Sequence, residues 1–84
     1  MSYESEYEDE EDVDVVLEML REDLIGELQA INQYQEHIDS IDDEEVIKVL
    51  EHLRDEEKEH VAELTKLIRK LDPIQAEMFK REGL

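Results

Sequence analysis

Two apolar stripes with a 3-4 rhythm, separated by one short polar turn, constrain this chain more than any other feature. The first runs through Leu17, Leu20, Leu24, position 27, Ile31, position 34, Ile38 and Ile41. The second runs through Val46, Leu50, Leu53, positions 57 and 60, Leu64, Leu67 and Leu71. Alternating steps of three and four keep a line of side chains on one face of an α-helix. Ile25 and Leu28 widen the first stripe. The intervening Asp39-Ser40-Ile41-Asp42-Asp43 reads as a turn, and Asp42 with Glu45 resembles a capping box opening the second helix. Asp72-Pro73 ends that helix, because a residue before Pro disfavours helical geometry. Pro73 suits the first turn of a short third helix reaching about Glu82, edged by Ile74, Met78 and Phe79 and closed by Gly83. The expected fold class is therefore all-α: an antiparallel two-helix hairpin with a short C-terminal helix over residues 13–84.

Residues 1–12 carry seven acids and no aliphatic stripe, which predicts a disordered acidic tail. Tyr3 and Tyr7 within it have no assigned role. The whole chain has 27 acids against 9 bases, a formal net charge of -18. That sign disfavours nucleic acid and anionic membrane surfaces as partners, and favours cations. No apolar run approaches the length of a membrane span, and no signal-peptide pattern opens the sequence, so a cytoplasmic location is expected. Cys is absent, which excludes disulfides and thiolate metal sites. Two helices cannot enclose a core, and a domain of 84 residues without disulfides needs a metal, self-association or both. Pairing of two hairpins into a four-helix bundle is the expected remedy.

The informative residues are those that interrupt the stripes: Glu27 and Tyr34 in the first, Glu57 and His60 in the second. A buried carboxylate without a partner costs several kcal/mol, so ionisable groups on an apolar seam imply a shared cation. Glu27 lies 14 residues before Ile41 and Glu57 lies 16 after it. In an antiparallel hairpin these positions are nearly level, since two residues of helix rise about 3 Å. Glu57 and His60 are i and i+3, on one face. One Glu plus one Glu-x-x-His is half the ligand set of a ferritin-like di-iron site, and two-fold pairing of the chain completes it. Carboxylates with one imidazole per metal suit Fe(II), and also Mn(II), better than the tetrahedral sites preferred by zinc.

ELQAINQY (Glu27–Tyr34 with its preceding stripe), RDEEKEH (Arg54–His60) and LDP (Leu71–Pro73) together resemble the encapsulated ferritins, over roughly Leu17 to Phe79. The resemblance implies ferroxidase activity: Fe(II) is oxidised by O2 at a centre shared by two hairpins. It implies that Glu27, Glu57 and His60 are the iron ligands, that Glu57 bridges the two irons and that Tyr34 stands beside the centre. It further implies a ring of ten subunits, housed with its iron inside an encapsulin shell as partner. Gln33 stands where a well-known member of the family has a Trp just before the Tyr, and Gly26 and Gln29 stand where that member has acids that guide iron inward. No Gly/Leu-rich shell-targeting segment follows Gly83-Leu84, which fits either a whole protein or a domain of a shell fusion.

Other residues have plainer readings beside functional ones. His52, Glu56 and Glu59, at i, i+4 and i+7 on the flank of the seam, read as an outer metal site or as a solvated charged face. His37 reads as a surface residue. A rubrerythrin-like peroxidase is an alternative chemistry for the same ligands, and a metal-free acidic helical adaptor is an alternative of another class. The adaptor would carry Leu or Ile where Glu27, Glu57 and His60 stand.

Overall fold

The computed structural model describes the backbone from Ser2 to Leu84 and the side chains from Asp12 onward. Three helices follow one another: α1 (Ser2–Ser40), α2 (Glu44–Leu71) and α3 (Pro73–Arg81). α1 and α2 pack side by side as an antiparallel hairpin, and α3 folds against α2. The expected all-α class, the hairpin and the short third helix are all present. The backbone of α1 is helical from Ser2, ahead of the stripe. Helix propagation adds one hydrogen bond per residue, and acids near a helix N-terminus face the positive end of its dipole. Met1, and the side chains of Tyr3 and Tyr7, lie outside the described residues.

The cap of α2 is Asp43, not Asp42. Its Oδ1 accepts the Val46 amide at 3.1 Å. The third helical position is then Val46, so no reciprocal Glu completes a capping box; Glu44 and Glu45 instead place charge in the first turn. Asp72 joins α2 to α3 from both sides. Its own amide donates to Ile68 O at 2.8 Å, while its Oδ1 accepts the Ile74 and Gln75 amides, each at 3.1 Å. α3 closes in a Schellman motif: Gly83 N–H donates to Lys80 O and Leu84 N–H to Phe79 O. That geometry needs a left-handed residue, and Gly83 supplies it with φ +78°.

The face that α2 turns to α1 also differs from the expected stripe. Ile47, Leu50, Arg54, Glu57, Val61, Leu64, Ile68 and Leu71 are half-buried or buried, and they too are spaced three and four apart. Leu50, Glu57, Leu64 and Leu71 belong to both lines. Val46, His60 and Leu67 lie at the edge of that face; they are exposed, on one heptad line with half-buried Leu53, and His60 still reaches across to α1. α2 is thus apolar on more than one face, wider than a single neighbouring helix can cover.

Among the described residues, Leu17 and Ile68 are the only buried hydrophobic side chains. The core sits where the three helices meet, beside a small cavity lined by Arg21, Leu24, Thr65, Ile68, Gln75 and Phe79. Arg21 Nη2 donates to Asp72 Oδ2 at 2.8 Å, tying α1 to the elbow between α2 and α3. Across its thinnest direction the molecule measures 14 Å, against 55 and 37 Å along the others. A helix with its side chains is about 10–12 Å across, so the hairpin is a single layer. A stable domain packs at least two.

Candidate metal centre

The seam brings Glu27, Glu57 and His60 together. Each offers a ligand atom, and the three atoms lie within 4.8 Å of one another. His60 Nδ1 donates to Glu27 Oε2 at 2.7 Å and lies 2.8 Å from Glu57 Oε1. The two carboxylates are half-buried between the helices, while the imidazole is exposed at the rim. α1 supplies one carboxylate from its seam line; α2 supplies the other groups three residues apart, so both project to the same side. The helices hold all three, and no loop is involved.

Hydrogen bonding to Glu27, helped by the charges of Glu27 and Glu57, raises the His60 pKa above its ordinary value against a smaller desolvation effect. A proton on Nδ1 thus occupies the place between carboxylates that a cation would take. Cation binding must displace it, so the proton competes with metal. Two oxygen donors and one imidazole nitrogen form a hard, anionic set suited to Fe(II) or Mn(II). Three ligands from one protomer leave much of an octahedral metal's coordination open.

An open groove of about 800 Å³ flanks the trio. It is walled by Glu22, Asp23, Gly26 and Ala30 of α1 and by Glu63, Leu64 and Leu67 of α2. A Cβ added at Gly26 would meet nothing within 4 Å. The trio therefore faces outward along a surface that combines acids with exposed aliphatic groups.

Tyr34 is half-buried in α1, two turns beyond Glu27. His37 is exposed. Of the outer set, His52 Nε2 lies 3.4 Å from Glu56 Oε2, both exposed, and Glu59 is exposed as well. Among the described residues, no clustered set of three ligands forms there; the Glu27, Glu57 and His60 trio is the one that does. The sequence reading did not single out the polar contact made by Gln35 and Arg54, in which Arg54 Nη1 donates to Gln35 Oε1 at 2.8 Å. Its signal lay in the alternative α2 line, which is aliphatic except at Arg54 and Glu57.

The geometry has counterparts among known proteins. Residues 2–82 match the EncFtn-like family. The encapsulin nanocompartment cargo protein EncC of Myxococcus xanthus is 47% identical over 57 residues, covering 68% of this chain and 44% of that protein. A ferritin-like-encapsulin shell fusion protein of Pyrococcus furiosus is 42% identical over 65 residues, 77% of this chain and 19% of the fusion. An encapsulated ferritin-like protein of Rhodospirillum rubrum is 35% identical over 74 residues, 76% of this chain and 53% of that protein. The chain thus spans about half or less of the length of these curated relatives. The crystal structure of protein ne0167 from Nitrosomonas europaea superimposes with a TM-score of 0.79 at 34% identity, over 83% of this chain and 77% of that one. Its helical hairpin, the clustered Glu27, Glu57 and His60 and these matches agree: the chain belongs to the EncFtn-like family, the encapsulated ferritin-like proteins.

Proposed function

We propose that two copies of this chain pair across the open groove and oxidise Fe(II), their substrate, with O2. The observation that carries this reading is the meeting of Glu27, Glu57 and His60 at one outward-facing point of the seam. Two copies supply four carboxylates and two imidazoles. With neutral imidazoles, the four negative charges balance two Fe(II). Glu27 and His60 of each copy would together hold one iron, two per pair, and the two Glu57 carboxylates would be shared between them. Tyr34, on the same line of α1, stands along the seam from them. Each Fe(II) gives one electron to O2, which takes up two protons and leaves as hydrogen peroxide. Fe(III) is a stronger acid than Fe(II); it hydrolyses in water, releasing protons, and that hydrolysis draws the oxidised iron off as a mineral.

Mineral storage is assigned to an encapsulin shell. The Myxococcus and Pyrococcus relatives are named for such shells. The same cytoplasmic compartment, the shell protein as partner, and a ring of about ten copies are part of this proposal for the present chain. No helix among the described residues is long and apolar enough to cross a membrane.

The test is anaerobic Fe(II) titration followed by exposure to O2 in a stopped-flow instrument. Two Fe(II) bound per pair of chains and rapid oxidation, abolished in Glu27→Ala and His60→Ala, are expected. Binding without O2-dependent oxidation, but with peroxide turnover, would replace the ferroxidase reading with a peroxidase one.

A further inference from the structure

We propose that Arg54 is a positioning residue for this centre: its hydrogen bond to Gln35 fixes the register of α2 on α1, and so the level at which Glu57 and His60 meet Glu27. The proposal rests on the metal reading above and adds a residue that does not itself touch metal.

The seam needs such a device. Around the trio it is built from Ile31, Ile38, Leu50, Val61 and Leu64, and contacts between aliphatic groups have no direction. A slide of one helical turn, about 5.4 Å, would replace one aliphatic neighbour with another, opposed at the ends of the hairpin by the short turn and by the Arg21–Asp72 pair. The same slide would destroy the 2.7 Å approach of His60 to Glu27. A directional polar contact on an apolar seam penalises the slide, as single polar residues do when they set the register of coiled coils.

Arg54 and Gln35 have the required features. The Arg54 side chain is 19% exposed, the most enclosed of the basic side chains that form ion pairs among the described residues. Its Nη1 crosses to Gln35 Oε1 on α1, while its Nε reaches Asp55 Oδ1 at 3.1 Å on its own helix. The far end of the same amide is also committed, since Gln35 Nε2 donates to Asp39 Oδ1 at 2.9 Å. Asp39, Gln35, Arg54 and Asp55 form one polar chain across the seam, and the amide cannot flip without losing both its bonds. The guanidinium fork serves two acceptors at once, which an ammonium does less rigidly. Arg54 precedes Glu57 by three residues, so the fixed point lies about 4.5 Å along the helix from the carboxylate it aligns.

The chain has no Cys, so pairs of introduced cysteines take spin labels cleanly. Labels at Glu36→Cys and Glu45→Cys, diluted with unlabelled chain, report the interhelical distance without metal; Co(II) titration reports the site. In Arg54→Met the distance should shift or broaden by about one turn, about 5 Å. Co(II) affinity should fall about tenfold to a hundredfold, the usual effect of losing an outer-shell partner. Gln35→Met should do the same, and serves if Arg54→Met does not fold. Arg54→Lys, which keeps a donor, should hold the distance and recover most of the affinity. An unchanged distance in both Met variants overturns the proposal, whatever happens to Co(II), as does a shifted distance with unchanged affinity. Failure of the unsubstituted chain to bind Co(II) sinks the metal reading instead, and leaves the distance measurement to decide the register.

Discussion

The side chain that decides whether this hairpin is a metal protein is Glu57. It lies on the line that α2 presents to α1, half-buried, 2.8 Å from His60 Nδ1. Glu56 and Glu59 are exposed and turned about 100° and 200° from it on a helix of 3.6 residues per turn. Glu57→Ala should therefore abolish paired metal binding and rapid oxidation, because it removes both copies of the proposed bridge. Glu56→Ala and Glu59→Ala should retain both; stopped-flow oxidation with metal counting on the three variants checks this, and the reverse pattern would refute the seam assignment. Gly26, beside Glu27 in the groove, makes a second prediction. A methyl group there meets nothing in the protomer, so Gly26→Ala should stabilise the metal-free helix by about 0.5–1 kcal/mol, read by thermal melting. If the groove receives a second copy closely, the same variant should pair less tightly in sedimentation. The trio was legible in the sequence because ionisable residues on an apolar stripe are costly and must be paired. Arg54 and Gln35 were not, because each adjoins the line chosen from Leu53 and Tyr34, and a one-residue rotation of the stripe hides a cross-seam contact.

At the scale of elements, caps and junctions fix where the helices begin and end. Asp43 accepts the Val46 amide and Asp42 is exposed beside it. Asp43→Ala should cost about 1 kcal/mol of stability in denaturant melts, and Asp42→Ala close to none. The sequence suggested the opposite residue because Asp42 with Glu45 has the spacing of a capping box, and adjacent aspartates offer caps one residue apart. The rest of the hairpin was readable from the 3-4 rhythm, since periodicity survives small errors in boundary. What it could not decide was which of two interleaved lines of α2 faces α1, because Val46, Leu53 and Leu67 are as apolar as Ile47, Val61 and Ile68. The elbow adds a dependence on pH. The Gln75 amide, with Arg21 and the Ile74 amide, holds the Asp72 carboxyl below its ordinary pKa. A carboxyl with a lowered folded pKa stabilises the fold above its unfolded pKa, and that contribution disappears as pH falls through the folded value. The docking of α3 should therefore loosen in acid below the ordinary carboxylate range. Asp72→Asn should make α3 less protected at neutral pH and flatten this acid dependence, with hydrogen exchange of the Ala76 amide, which donates to Asp72 O, as the probe.

The whole molecule is an acidic single layer whose remaining apolar surface is exposed. Val46, Val49 and Leu67 of α2 and Val16, Met19, Ile25 and Leu28 of α1 all stand open to solvent. That surface favours association, but a net charge of -18 on each copy opposes it. Cations in the proposed centre remove the opposition where it is greatest, at the carboxylates that two copies would bring together. Because each copy contributes equally to the ligand set, the free energy of metal binding is also free energy of association. Fe(II), or Co(II) as an oxygen-stable substitute, should thus shift the protein from monomers toward dimers and larger rings, and a chelator should reverse the shift. Raising the salt concentration screens the repulsion without supplying ligands, so it should help association less than a stoichiometric metal does. The screening effect should also survive in Glu57→Ala, whereas the metal effect should not. Light scattering across metal, chelator and salt separates these contributions. A mass that rises with salt alone, and is indifferent to metal in the unsubstituted chain, would mean that the apolar faces drive pairing and that the trio only occupies the groove they leave.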